Sequence, residues 1–220
     1  MAVAGIKLRM YVFDRKGELW DEIHLPGKEN VNRPSVMSVA WDARSQKLAA
    51  LVAGPKAGMG DAVIVYHVRN RESIKIEHAH DKQDVTHLCW DPPGHVLAAG
   101  TVKGNLLLFD ARAGKTRSVL KVHDKKITCG AWSDDGRLAM GGEDMSVTIS
   151  TADGGETSTR LMLKGYPLEM QFAPEPRREG LGVASRANLL SVNLAGKTLY
   201  LCRLGDDKDA DAPVASTPIE

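Results

Sequence analysis

The sequence predicts an all-β chain in which four-stranded units repeat and stack as the blades of a β-propeller. Three observations predict it. Apolar runs of only a few residues, too short for helices, alternate with clusters of Gly, Asp, Lys and Ser. A strand, turn and second strand built around a tryptophan recur about every 40 to 50 residues, the spacing of propeller blades. In the best-formed copy Leu106 to Leu108 are apolar without alternation, as a sheet covered on both faces by its neighbours requires.

The stretch from Gly100 to Ser150 shows the pattern most fully. Its runs Leu106-Leu107-Leu108-Phe109, Arg117-Ser118-Val119-Leu120, Ile127 to Trp132 and Val147-Thr148-Ile149 read as strands. The segments between them, Ala111 to Gly114, Asp134-Asp135-Gly136 and Gly142-Glu143-Asp144, supply Asp to bond its own backbone or Gly for positive φ. The same strand, turn and strand appear at residues 35–51, 86–100 and 128–142, around Trp41, Trp90 and Trp132. A fourth copy near Leu168 to Pro174 has Phe172 in the aromatic place. These aromatics are expected to be wedges between blades.

Four strands per repeat at this period is the WD-repeat type of propeller. Val12-Phe13-Asp14, Ile64 to His67, Leu108-Phe109-Asp110 and Thr148-Ile149-Ser150 are expected where such repeats close their third strand with Trp-Asp. The literal pairs Trp41-Asp42 and Trp90-Asp91 fall instead at the end of the first strand. His80-Asp81 and His123-Asp124 precede first strands, where a histidine orders the loop between blades. Asp144 is kept in the blade of His123, but Lys103 stands at that place in the preceding one. The repeats are therefore expected to be held more by apolar packing than by a buried polar relay.

The expected blades cover residues 33–80, 81–122 and 123–165 in full. Residues 1–32 are expected to give the last two strands of one partial blade, and 166–204 to give another. Gly54 to Gly60 and Pro174 to Gly180 read as surface loops. Residues 205–220, acidic at first, Pro-containing and poor in large apolar residues, are expected to be a disordered tail. The whole is an incomplete arc of about three full and two partial blades, expected to be a fragment of something longer; a strained small ring is the alternative.

Charge and composition narrow the partners. The 29 basic and 28 acidic residues nearly cancel, so no global field argues for nucleic acid. Cys89, Cys129 and Cys202 lie inside expected strands without paired spacing, which favours a reducing compartment. No apolar run approaches the roughly 18 residues needed to span a bilayer, so direct membrane insertion is not expected. His78, His80, His87 and Cys89 lack the spacing of a structural zinc site. Gly54 to Gly60 is followed by neither Gly-Lys-Ser/Thr nor a helix, and Ser38, His24 and Asp42 sit in no nucleophile elbow. No cofactor, metal or catalysis is expected.

Exposed turns are the better candidates for function. Lys103, Lys125 and Lys126 are expected on one rim with Asp81, Asp124, Glu143 and Asp144, a mixed-charge edge suited to setting the register of a protein partner.

The runs Gly100 to Leu107, His123 to Gly130 and Gly141 to Asp144 resemble the N-terminal WD-repeat region of the WD-repeat protein 19 family of intraflagellar transport complex A subunits. Phe13-Asp14-Arg15, Leu25-Pro26-Gly27 and Gly196 to Leu199 extend the resemblance across most of residues 11–204. It implies a non-catalytic scaffold for retrograde ciliary transport and ciliary protein entry. The implied partners are other complex A subunits and ciliary cargo adaptors; the implied locations are the cilium, its base and the cytoplasm. Fold alone leaves a second reading open, a generic WD-repeat adaptor in an assembly such as a vesicle coat or ubiquitin ligase.

Overall fold

The computed structural model describes residues 2–4, 8–25, 36–52, 62–76, 84–151, 157–173, 189–195, 198–204 and 214–219. Their regular structure is entirely β, in five antiparallel sheets whose strands follow in chain order. The first sheet holds β1 (Ala2–Ala4), β2 (Arg9–Phe13) and β3 (Leu19–His24). The second holds β4 (Val36–Trp41), β5 (Lys47–Val52), β6 (Ala62–His67) and β7 (Glu72–Ile76). The third holds β8 (Val85–Trp90), β9 (Val96–Thr101), β10 (Leu106–Asp110) and β11 (Lys115–Val119). The fourth holds β12 (Ile127–Trp132), β13 (Leu138–Gly142), β14 (Ser146–Ser150) and β15 (Thr157–Met162). The fifth holds β16 (Pro167–Phe172), β17 (Leu189–Leu194), β18 (Thr198–Arg203) and β19 (Val214–Ile219).

The sheets stack as propeller blades through their first strands, β4 against β8, β8 against β12 and β12 against β16, with β1 against β4. Among the described residues no comparable packing joins the fifth sheet to the first, so the arc is open. One apolar core lies between each pair of neighbours. Unalternated strands follow from this: Leu107 and Phe109 enter the core shared with the second sheet, while Leu106 and Leu108 enter the core shared with the fourth. Gly100 is needed for the close approach, since a Cβ there would lie 2.4 Å from the Ile127 side chain.

Repeated polar contacts fix the spacing. The Trp90 indole N–H donates to the Ala40 carbonyl at 3.1 Å, and that of Trp132 to the Cys89 carbonyl at 3.3 Å, each reaching the first strand of the preceding sheet. Thr86 donates to the carbonyl of Ile127 at 2.6 Å, and Thr128 makes the equivalent bond to Pro167. The Lys47 ammonium lies 5.6 Å from the Trp90 ring centroid, a cation–π contact between the second and third sheets. Trp90 is buried, whereas Trp41 and Trp132 are half-buried wedges.

Two kinds of turn account for the displaced Trp-Asp pairs. Asp42 accepts the Gln46 and Lys47 N–H groups at 2.7 and 2.9 Å, and Asp91 accepts those of His95 and Val96 at 2.6 and 2.9 Å, so both cap the turn after the first strand. Asp14 and Asp110 cap the turn after the third strand in the same way.

Three details differ from the sequence-based expectation. Residues 1–32 contribute three strands, because the Ala-Val-Ala of β1 is too short to show periodicity. The expected disordered tail contains β19, which pairs with β18 and gives the fifth sheet four strands; β-branched Val214, Thr217 and Ile219 outweigh the acidic run before them, and Pro218 is tolerated on an edge. Ser150 stands opposite Leu138 as Phe109 stands opposite Leu97, so the fourth sheet's equivalent of Phe109-Asp110 is Ser150-Thr151, one residue later than expected. Residues 54–60, 174–180, His78, His80 and Asp81 lie outside the described residues.

Replacing the buried Trp90 with Ala is expected to cost about 3–5 kcal/mol in denaturant unfolding, and Trp90→Phe about 1 kcal/mol for the lost hydrogen bond. Trp132→Ala, from a half-buried site, should cost less than Trp90→Ala; equal losses would contradict the wedge geometry.

Candidate protein-interaction site

One end of the arc carries the turns between second and third strands and the connections from sheet to sheet. A residue of positive φ stands at or near the close of three turns there: Leu8 at 57°, Gly104 at 77° and Met145 at 60°. Their carbonyls accept the N–H of Leu25, His123 and Leu163 at 2.8, 2.9 and 2.8 Å. The turns are thus tied to the chain leaving each sheet.

His123 is the buried centre of this end. Its Nδ1 lies 3.0 Å from both Asp144 carboxylate oxygens, and its Nε2 lies 3.0 Å from the Met140 carbonyl and from Thr148 Oγ1. Ser146 Oγ donates to Asp144 Oδ1 at 2.9 Å, and the Asp124 N–H donates to Asp144 Oδ2 at 3.0 Å. Burial, the largest influence, would raise the Asp144 carboxyl, but the bonds from Asp124, His123 and Ser146 together hold it below the ordinary 3.8. Arg160 donates to the Val122 carbonyl at 2.7 Å and lies 3.9 Å from both Asp124 and Asp144, tying the outer strand β15 to the connection.

This geometry corrects two expectations. Asp144, whose side chain is only 9% exposed, is a structural anchor and not a rim charge. The fourth sheet also retains a buried polar relay, because Ser146 and Thr148 supply hydroxyls that a search for histidine and aspartate alone overlooks. The third sheet has none of this around Lys103, which points to solvent. Asn105 serves there instead, its Oδ1 accepting the Lys121 N–H at 2.9 Å.

Asp124 and Lys125 are exposed, and Lys126 lies 3.8 Å from Glu143 in a surface pair. Phe109 is buried in the core between the second and third sheets. Sequence reasoning missed the apolar part of this end. Val102, Leu120, Met145, Met162, Tyr166 and Leu168 are all exposed along it, and no large apolar side chain is exposed in the described turns at the opposite end of the third to fifth sheets. Exposed apolar groups beside lysines make a surface that buries area and fixes register with a protein partner.

The thiols offer no comparable chemistry. Burial pushes Cys89 up to about 12 and Cys129 up to about 11, so neither is a thiolate near neutrality. The His87 ring sits 3.2 Å from the Gly130 carbonyl, and burial lowers its basicity.

A family model described as the WDR19 first beta-propeller matches residues 1–215. The chain belongs to the WDR19 first β-propeller family. WD repeat-containing protein 19 of Homo sapiens is 31% identical over 96% of this chain, and that of Mus musculus is 30% identical over 94%. WD repeat-containing protein dyf-2 of Caenorhabditis elegans is 24% identical over 91% of it. The chain spans only 15%, 14% and 13% of these relatives, so in the WDR19 family the segment is a small part of a long protein.

Asp144→Ala leaves His123 Nδ1 and Ser146 without their shared acceptor and is expected to destabilise the chain by about 1–3 kcal/mol. Because the folded state lowers the pKa of Asp144, its stabilisation is present above pH 3.8 and is lost as pH falls through the lower folded value. Thermal unfolding of Asp144→Asn should therefore lose less stability on acidification than the unmodified chain; parallel pH profiles would refute this coupling.

Proposed function

We propose that this chain is a non-catalytic, protein-binding propeller segment of an intraflagellar transport complex A subunit. It acts in retrograde ciliary transport and in the entry of proteins into cilia. Membership of the WDR19 first β-propeller family is the observation that carries this reading. The mixed apolar and basic connection end supports it, since a scaffold needs an exposed surface whose shape is fixed from beneath. Here the His123 relay, the tied turns and Arg160 supply that rigidity.

The partners are other complex A subunits and ciliary cargo adaptors, met at the cilium, its base and in the cytoplasm. Lys103, Asp124, Lys125, Lys126 and Glu143 set their register, and the neighbouring apolar side chains contribute the buried area. Asp144 acts indirectly, by holding the loop that presents Asp124 and Lys125.

In ciliated cells, the tagged chain is expected to co-purify with complex A subunits and to concentrate at the ciliary base. Recovery only with vesicle-coat or ubiquitin-ligase components would replace this reading with the generic adaptor. Reversing Lys125 and Lys126 together to Glu should reduce recovery by about tenfold through lost steering and register, without changing the unfolding midpoint. Unchanged recovery would remove those lysines from the interface.

A further inference from the structure

The connection end of the third and fourth sheets repeats one chemical unit. Each outer strand leaves its sheet through an exposed apolar side chain and a lysine, Leu120-Lys121 after β11 and Met162-Leu163-Lys164 at the close of β15. A turn carrying another exposed apolar side chain is bonded to each exit. The Lys121 N–H donates to Asn105 beside Val102-Lys103 at 2.9 Å, and the Leu163 N–H donates to the Met145 carbonyl at 2.8 Å. Tyr166 and Leu168 carry the exposed apolar character on into the fifth sheet.

The charges of this surface do not cancel. Lys126 is paired with Glu143, and Arg160 faces Asp124 and Asp144. Lys103, Lys121, Lys125 and Lys164 are exposed, and among the described residues they form no ion pair. The backbone of the surface, by contrast, is largely engaged. The carbonyls of Asp84, Gly104, Val122, Met145 and Tyr166 already accept bonds from Val102, His123, Arg160, Leu163 and Ala195. An extended segment laid across these turns would bury its own peptide groups without partners, whereas a helix satisfies them internally. Exposed Asp84 and Asp124 stand among the lysines and repel a uniformly anionic lipid surface, while a helix can set its carboxylates over the lysines alone.

We propose that the connection end binds an acidic amphipathic helix of a partner protein. The apolar stripe of the helix lies on the side chains that flank Leu120 and Met162, and its carboxylates meet Lys103, Lys121, Lys125 and Lys164. Apolar contact supplies the buried area, and the lysines select an acidic helix and fix its direction. This inference rests on the reading of the connection end as the docking surface and names the chemistry of what docks there.

The probe is a fluorescent model helix of about 18 residues, with leucines at i, i+3, i+4 and i+7 on one face and glutamates elsewhere. It is added to the 220-residue chain and followed by anisotropy and circular dichroism. Saturable binding with a gain of peptide helicity is expected, weakened about tenfold by Lys121→Glu with Lys164→Glu and about tenfold by Leu120→Gln with Met162→Gln. Leu120 and Met162 are 67% and 72% exposed, so neither pair should move the unfolding midpoint. A peptide with lysine in place of each glutamate should fail to bind the unmodified chain and should bind the Lys121→Glu, Lys164→Glu chain. Phosphatidylserine vesicles should not sediment the chain. The helix site is overturned by absent binding, by equal binding of the lysine peptide, by indifference to the Leu120 and Met162 changes, by sedimentation with vesicles, or by a dimer that excludes the peptide. Co-purification with complex A subunits is scored separately: a chain that co-purifies but binds no acidic helix loses this site and keeps the transport reading, and the reverse result keeps the site and loses that reading.

Discussion

A four-stranded sheet whose two faces are both apolar must be covered on both, and every other feature of this chain follows from how that is done. Leu106 to Phe109 divide their side chains between two cores, so the third sheet contributes half of each and owns neither. The second and fourth sheets stand in the same relation to their neighbours. Stability is therefore held between sheets, and removing one sheet exposes a face of the next. This is the nearest-neighbour logic of repeat proteins, in a curved form.

Apolar cores hold sheets together but do not fix how far one slides along the next. The directional contacts do that. An indole reaching back to the preceding first strand and a threonine reaching forward to the following one bracket β8 and β12 from both sides. Both bonds are made to backbone carbonyls. The register they impose is thus independent of the partner's side chain, and sequence can drift without losing it. The relay around His123 belongs to another class, because every member is a particular side chain, and only the fourth sheet preserves it among the described residues.

Much of this was legible in the sequence, and what was not has physical causes. The tryptophans, the turn aspartates and the unalternated runs of the three central sheets are strong local signals. β1 escaped because three residues carry no period, and β19 because acidic composition was averaged over a segment whose final residues are β-branched. Asp144 looked like its charged neighbours on the rim, since sequence position does not reveal that its side chain turns inward to His123. The exposed apolar residues of the connection end were invisible for a related reason: Leu120 and Met162 are ordinary core types, and only the fold shows that nothing described covers them.

The division between buried and exposed residues at that end bears directly on function. A loop can present charges to a partner in a fixed arrangement only if its backbone is held by something other than those charges. Asp144 accepts the Asp124 N–H, Arg160 takes the loop's Val122 carbonyl, and His123 is tied to the Met140 carbonyl of β13. Lys125 and Lys126 need no part in that support, so their side chains remain available and the ordering entropy of the loop is already met by folding. Where the relay is absent, around Lys103, Asn105 and Gly104 hold the turn by accepting the N–H groups of Lys121 and His123. A surface prepared in this way suits binding better than chemistry, because its rigidity is spent on geometry while its titratable groups are either exposed to water or committed to one another.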